Sequence, residues 1–261
     1  AVLISDRGEL RAPKISYARG TGIAHATGGV EATLQREEGG AWRQTPLAAG
    51  DEPVRVEARE GYWQERPRTF LFRGGVRAWS GERLLLADQL RGDVDRDELA
   101  AAGGVETLWF VPPRQGAGGD PRPLRLTADT LIYDQKGDLL TYSGGVVVVD
   151  AERRLSCDEL RVQLTGDGEA ERMTCTGSVA LSAPEEGRTV KAERAEYDLA
   201  SERLVFHGEP VEVQDGKGGR LHGRRVTYHM DSGKVSVSGQ DRDGQAAGQG
   251  GGRPAPAGGS R

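Results

Sequence analysis

Four histidines, two cysteines and a regularly placed set of acids are the side chains of this 261-residue sequence with the chemistry for a reactive site. His207, His222 and His229 fall within a stretch of 23 residues near its C-terminal end. A zinc site needs further donors in matching geometry. Moreover, His207 and His222 stand next to the apolar Phe206 and Leu221, and side chains alternate faces along a strand. They are expected on the outer surface, with no metal bound. Cys157 and Cys175 are too few for a disulfide scaffold and wrongly spaced for a zinc knuckle. Both take the inward phase of one hairpin, close enough to pair. Two buried thiols filling small sites are expected, with a disulfide as the open alternative. Asp88, Asp129, Asp158 and Glu193 each follow a small residue, but they are scattered rather than converged as a general acid and base must be. The stretch HGRRVTYH (222–229) is the most basic patch and is suited to an anionic phosphate. The expectation is a protein with no catalytic residues and no cofactor.

The remaining side chains must therefore act through the elements that carry them. The chain is long enough for a sizeable core and mildly acidic, with a net charge of −5 and both signs mixed along its length. That argues against a nucleic-acid binder, which carries a basic face. The most apolar run, Gly145–Val149, is far too short to span a bilayer. From Gln240 the sequence QDRDGQAAGQGGGRPAPAGGSR has almost nothing to bury and reads as a disordered tail over 240–261. VPPRQGAGGDPRP (111–123) reads as a long surface connection.

The stretch LTYSGGVVVV (140–149) places two glycines inside good strand sequence, and the same interruption recurs seven times. Its first glycines are Gly28, Gly74, Gly103, Gly144, Gly177, Gly208 and Gly239. The residues two and four places earlier are all apolar or aromatic, among them Phe70, Phe72, Leu140, Tyr142, Met173, Leu204, Phe206, Val235 and Val237. The same phase continues beyond the glycine at Val30, Val76, Val105, Val146 and Val179. Period two marks a strand with one buried face, so the glycine kinks the strand rather than ending it. A second landmark precedes each glycine: a large aliphatic residue, any residue, then a small one. The small residues are Ala12, Ala58, Ala87, Ala128, Cys157, Ala192 and Gly223, each 16 positions before its glycine except Cys157, which is 20 before. Aromatics often follow the small residue by five, at Tyr17, Trp63, Tyr133, Tyr197 and Tyr228. With turn signals such as DQKGD (134–138) between the landmarks, each module reads as a β-hairpin. The fold class is all-β, with fourteen to sixteen short strands in one elongated domain over 1–239. Its AVLIS start looks like the second half of a further module, which predicts that the native chain extends upstream.

The units LTADTLIYDQKGDLLTYSGGVVVV and VKAERAEYDLASERLVFHGEPVEV resemble the repeat of the OstA/LptA family of lipopolysaccharide transport proteins. Ala128–Asp129, Tyr133–Asp134, Ala192–Glu193 and Tyr197–Asp198 carry the resemblance, strongest over 124–239 and in phase over 10–110. Cys157 and the pair Gly223–Arg224 depart from the pattern. The resemblance implies an elongated β-jellyroll of about seven stacked hairpins, located in the periplasm of a Gram-negative envelope. It implies an LptA-like bridge subunit that shields lipopolysaccharide acyl chains, with an LptC-like, inner-membrane-tethered component as the alternative. A parallel β-helix acting on polysaccharides is a further alternative, disfavoured because hairpin turns cannot join parallel neighbours. A purely structural β-filament shares the fold but lacks a lipid-accepting interior.

A lipid conduit needs a continuous apolar lining, and the inward set supplies one. The expected lining is Phe70, Phe72, Val76, Leu126, Ala128, Leu140, Tyr142, Val146, Val148, Met173, Val179, Leu204 and Phe206. The row of small residues is expected to leave a groove open, since facing sheets normally stand about 10 Å apart. Edge strands at Val2, Leu3 and Ile4 and at Val235 and Val237 are expected to add to partner jellyrolls, head to tail, by β-augmentation.

Overall fold

The computed structural model describes residues 1–5, 8–34, 52–111, 121–166, 168–216, 218–229 and 234–238. The expected tail from Gln240, the glycine at 239 and most of the 111–123 loop lie outside them. In chain order the strands begin with β1 (Val2–Ser5), β2 (Gly8–Arg11), β3 (Lys14–Ala18) and β4 (Ile23–Leu34). Next come β5 (Val54–Glu65), β6 (Arg68–Ser80), β7 (Arg83–Asp93) and β8 (Glu98–Val111). They continue with β9 (Arg122–Asp134), β10 (Leu139–Asp150), β11 (Arg153–Leu164) and β12 (Ala170–Ala183). After a 3-10 turn at Pro184–Glu186 come β13 (Arg188–Asp198), β14 (Arg203–Gln214), β15 (Arg220–His229) and β16 (Val235–Ser238).

These form one 16-stranded sheet in which chain neighbours pair, except that β2 and β3 both pair with β4. Every ladder is antiparallel, which removes the parallel β-helix alternative. From β4 to β15 the strands run 10 to 14 residues, longer than expected, because each passes through its kink without stopping.

The kink is a β-bulge. On β10, Ser143 pairs with Glu159 of β11 and the next pair is Val146 with Cys157, so three steps on one strand match two on the other. Gly144 and Gly145 take φ of +83° and +56°, where a side chain is strained. A Cβ on Gly144 would also collide with the Asp129 carboxylate, and Asp88 and Asp158 stand against Gly103 and Gly177 in the same way. The acids that follow the small residues thus cover the bulges of the next strand.

Repeated strand after strand, the bulge bends the sheet along one line and divides it into two walls. The pre-glycine wall holds the first halves of β6, β8, β10, β12 and β14 and the second halves of β5, β7, β9, β11, β13 and β15. The post-glycine wall holds the complementary halves. The walls face one another: Thr107 Oγ1, on the post-glycine half of β8, shares a buried 3.0 Å hydrogen bond with Tyr142 Oη on the pre-glycine half of β10. The inward phase of both walls forms one hydrophobic core.

Cys157 and Cys175 correct the expectation of two free thiols. They form a disulfide with Cα atoms 5.8 Å apart, inside the usual range for a bridge. The β12 bulge at Gly177 displaces the register between the Glu159–Thr176 and Ser156–Ala180 pairs, and this sets the two side chains diagonally opposite across the bend. The bridge therefore ties the post-glycine half of β11 to the pre-glycine half of β12.

Candidate lipid-accepting interior

All thirteen residues expected to line the interior are buried in the core between the walls. Phe206, Leu140, Tyr142, Val146 and Leu126 have no measurable exposure. The small residues lie along the bend, where the walls converge, and six of them, Ala12, Ala58, Ala87, Ala128, Cys157 and Gly223, are buried. Among the described residues, none of the row lines either of two largely apolar cavities. The larger cavity, about 660 Å³, is a cleft at the β1–β6 end, bounded by Leu3, Leu10 and Leu34 on one side and Trp63 and Phe72 on the other. Tyr17, Glu65 and Arg68 stand among its lining, and Tyr17 Oη donates to Glu65 Oε1 at 3.1 Å. The smaller, about 50 Å³, lies between β9 and β14 and is lined by Leu124, Val148, Leu160, Met173 and Leu204, with Arg122, Asp150 and Tyr197 among its polar neighbours.

The two cavities differ because the walls are staggered. Thr107 of β8 meets Tyr142 of β10. At the outer rims, Arg122 of β9 and Tyr197 of β13 line the smaller cavity together, and burial pushes the Tyr197 phenol up against the downward pull of Arg122. Arg83 of β7 donates to Glu169 Oε1, in the turn before β12, at 2.5 Å. In these contacts a post-glycine strand lies over a pre-glycine strand two to five places further along the chain. The first pre-glycine strands, β3 and β4, consequently have no post-glycine strand of the described residues above them, and the interior opens there as the cleft. Further along, both walls are covered and the core is packed.

Residues 125–234 match the family model described as LptA/(LptD N-terminal domain) LPS transport protein. Over these residues the chain is similar to that family. The bounds of the match nearly coincide with the modules that carry the sequence resemblance. The solved structures include one entitled "Crystal structure of LptH, the LptA homologous periplasmic component of the conserved lipopolysaccharide transport device from Pseudomonas aeruginosa", 19% identical, covering 49% of this chain and 90% of that one with a TM-score of 0.40. No curated protein matches the chain.

In and beside the segment similar to the LptA/LptD N-terminal domain, polar groups gather at the outer rims, where the walls end. Arg122 and Asp150 pair at 3.0 Å, and burial pushes the Asp150 carboxyl above its ordinary value against the pull of Arg122. Glu186 takes Arg153 at 3.0 Å, Arg188 at 3.1 Å and a hydrogen bond donated by Tyr228 Oη from the opposite wall. Arg153 and Arg188 also lie over the Tyr228 ring, at 5.9 and 5.3 Å from its centroid. Burial alone would raise the Glu186 carboxyl, but Tyr228 and the two arginines outweigh it and hold it below the ordinary range. A lowered carboxyl stabilises the folded state above its unfolded pKa, near 4.5, and that contribution disappears as pH falls through the lower folded value. We therefore expect Glu186→Gln to reduce stability at pH 7 and to approach the parent protein as the pH falls below 4.5. Urea melts at pH 7, 5 and 3.5 check this; a constant difference at all three would leave the carboxylate without its assigned role.

The sequence did not reveal the rim contacts. The aromatic five places after each small residue was visible, and Tyr197 and Tyr228 are two of these, but nothing local showed that Glu169, Arg122 or Glu186 would meet them or their neighbours. His222 is exposed and His207 half-buried on the outward phase, and among the described residues no group of three or more His, Cys, Asp or Glu is placed to hold a metal ion. Arg224 and Arg225 of the basic patch are exposed. Val2, Leu3 and Ile4 are exposed on the edge strand β1, while Val235 and Val237 are half-buried on β16, at the other end of the strand order.

Proposed function

We propose that the protein is a periplasmic carrier of lipopolysaccharide that accepts acyl chains between its two walls, entering through the β1–β6 cleft. The observation that carries this reading is a continuous apolar interior that opens at one end into a 660 Å³ cleft, in a chain whose residues 125–234 are similar to a lipopolysaccharide transport family. A cleft of this volume falls in the range of about 300–1,000 Å³ that holds a small ligand or part of a lipid. Burying an acyl chain of about fourteen carbons is worth roughly 10 kcal/mol, at about 0.8 kcal/mol per methylene. That gain is large enough to hold a lipid out of water between two membranes. The thirteen inward residues would line its path.

The ends support assembly with other jellyrolls. The β1 edge carries exposed Val2, Leu3 and Ile4, and the β16 edge carries Val235 and Val237. A partner strand added at β1 would extend the sheet and, given the stagger of the walls, cover the cleft as well.

The test places a photo-crosslinking side chain singly at Trp63 in the cleft, at Phe206 in the packed interior and at the outward Thr141. After exposure to lipopolysaccharide, an adduct is expected at Trp63, less at Phe206 and none at Thr141. A folded protein that gives no adduct at Trp63 would exclude the carrier reading in favour of a structural filament.

A further inference from the structure

We propose that the two rims between β7 and β15 form a latch, and that its polar clasps control how far a lipid in the cleft can advance into the packed interior. This rests on the carrier reading above and deepens it.

Three contacts cross the gap between the rims. Arg83 of the post-glycine wall reaches Glu169 Oε1 at 2.5 Å and the Gly168 carbonyl at 3.4 Å, at the turn closing β11 and β12. Arg122 of one wall and Tyr197 of the other meet at the rim of the smaller cavity. Glu186, held by Arg153 and Arg188, accepts from Tyr228. In each case one partner belongs to one wall and the second to the other. None of the three is part of a β-ladder, so all can break while every strand keeps its neighbours.

Such contacts are weak individually. Glu169 is 49% exposed although Arg83 is only 12% exposed, so water reaches the carboxylate side of that pair and screens it. The opposite side of the molecule behaves differently. There the walls are joined covalently through the long strands β4 to β15, and the Cys157–Cys175 bridge adds a second tie across the bend. The arrangement is a hinge along the line of glycines with a fastening along the free margin. Immediately behind the Arg122–Tyr197 clasp lies the 50 Å³ cavity, and its inner wall is Leu124, Val148, Met173 and Leu204. Asp150, paired through Oδ2 to Arg122, leaves its buried Oδ1 without a partner at that cavity. The interior is least tightly filled directly behind a clasp, where parting the rims would admit an alkyl chain most readily.

The triple variant Glu169→Gln, Tyr197→Phe and Tyr228→Phe removes the acceptor charge and the two phenol oxygens from one rim and leaves both rings in place. Spin labels on the exposed rim turns, at Glu152 and Lys136, report the gap with no lipid present. The parent protein is expected to show one narrow distance and the triple variant a longer, broader population. With lipopolysaccharide, the adduct at Phe206 should rise about tenfold in the variant, since each clasp contributes a factor of a few to the closed state, while the adduct at Trp63 stays the same. A triple variant that melts like the parent but shows an unchanged distance and an unchanged Phe206 adduct would overturn the latch. Loss of the Trp63 adduct in both proteins would instead overturn the carrier reading, and the lipid-free distances would still decide whether the rims part.

Discussion

Replacing Phe206 by alanine is expected to cost about 3–5 kcal/mol of stability and to lower the melting temperature by roughly 6–20 °C. Phe206 has no measurable exposure, and its ladder neighbours are Ala195 on β13 and Val226 on β15. Ala195 is too small to fill the space left by a phenyl ring, and the packed walls cannot close over it without moving their rims. Phe206→Leu conserves most of the volume and should cost less than about 1.5 kcal/mol. In a stack of modules each contacting its neighbours, the damage should concentrate between β12 and β15, so amide exchange there should speed up more than in β5–β8. Urea melts of the three proteins check the energies. A loss below about 1 kcal/mol for the alanine variant would show that the walls around Phe206 already yield freely, and the latch would then be holding nothing closed.

The second large effect belongs to the disulfide. Cys157 and Cys175 enclose a separation of 18 residues, for which the chain-entropy model gives about 3 kcal/mol. The double variant Cys157→Ala, Cys175→Ala should melt at correspondingly lower urea, and a reducing agent should move the parent protein towards it without affecting the variant. Equal stability with and without the reducing agent would mean that the bridge does not contribute. Because the bridge lies at the bend rather than at the rims, its loss should lower stability while leaving the spin-label distance between the rim turns centred where it was. Stability and rim opening are therefore separable by experiment.

Period-two alternation and the recurring glycine made the fold readable from the chain alone. Phe70, Tyr142, Val146 and Phe206 could be placed inward from sequence, because strand geometry fixes alternation within a few residues. The bulge was equally legible, since adjacent glycines inside β-branched sequence are tolerated where the backbone needs positive φ, as Gly144 and Gly145 have. The resemblance to the transport family rested on the same local units and agrees with the family match over 125–234.

The angle and stagger between the walls were decided only in three dimensions. They accumulate from the twist of many strands and the bend at each bulge, and no local pattern encodes the sum. That sum brings Arg83 to Glu169, 86 residues away, and Tyr228 to Glu186, 42 residues away. It leaves the interior open at the β1–β6 end and closed beyond, although the row of small residues suggested uniform room along the bend. The cysteines show the same division: their inward phase was set by alternation, whereas their pairing depended on the register displacement that the β12 bulge imposes. The sequence by itself determined which side chains face inward; the way the two walls cross determined which of them meet, and where a ligand could enter.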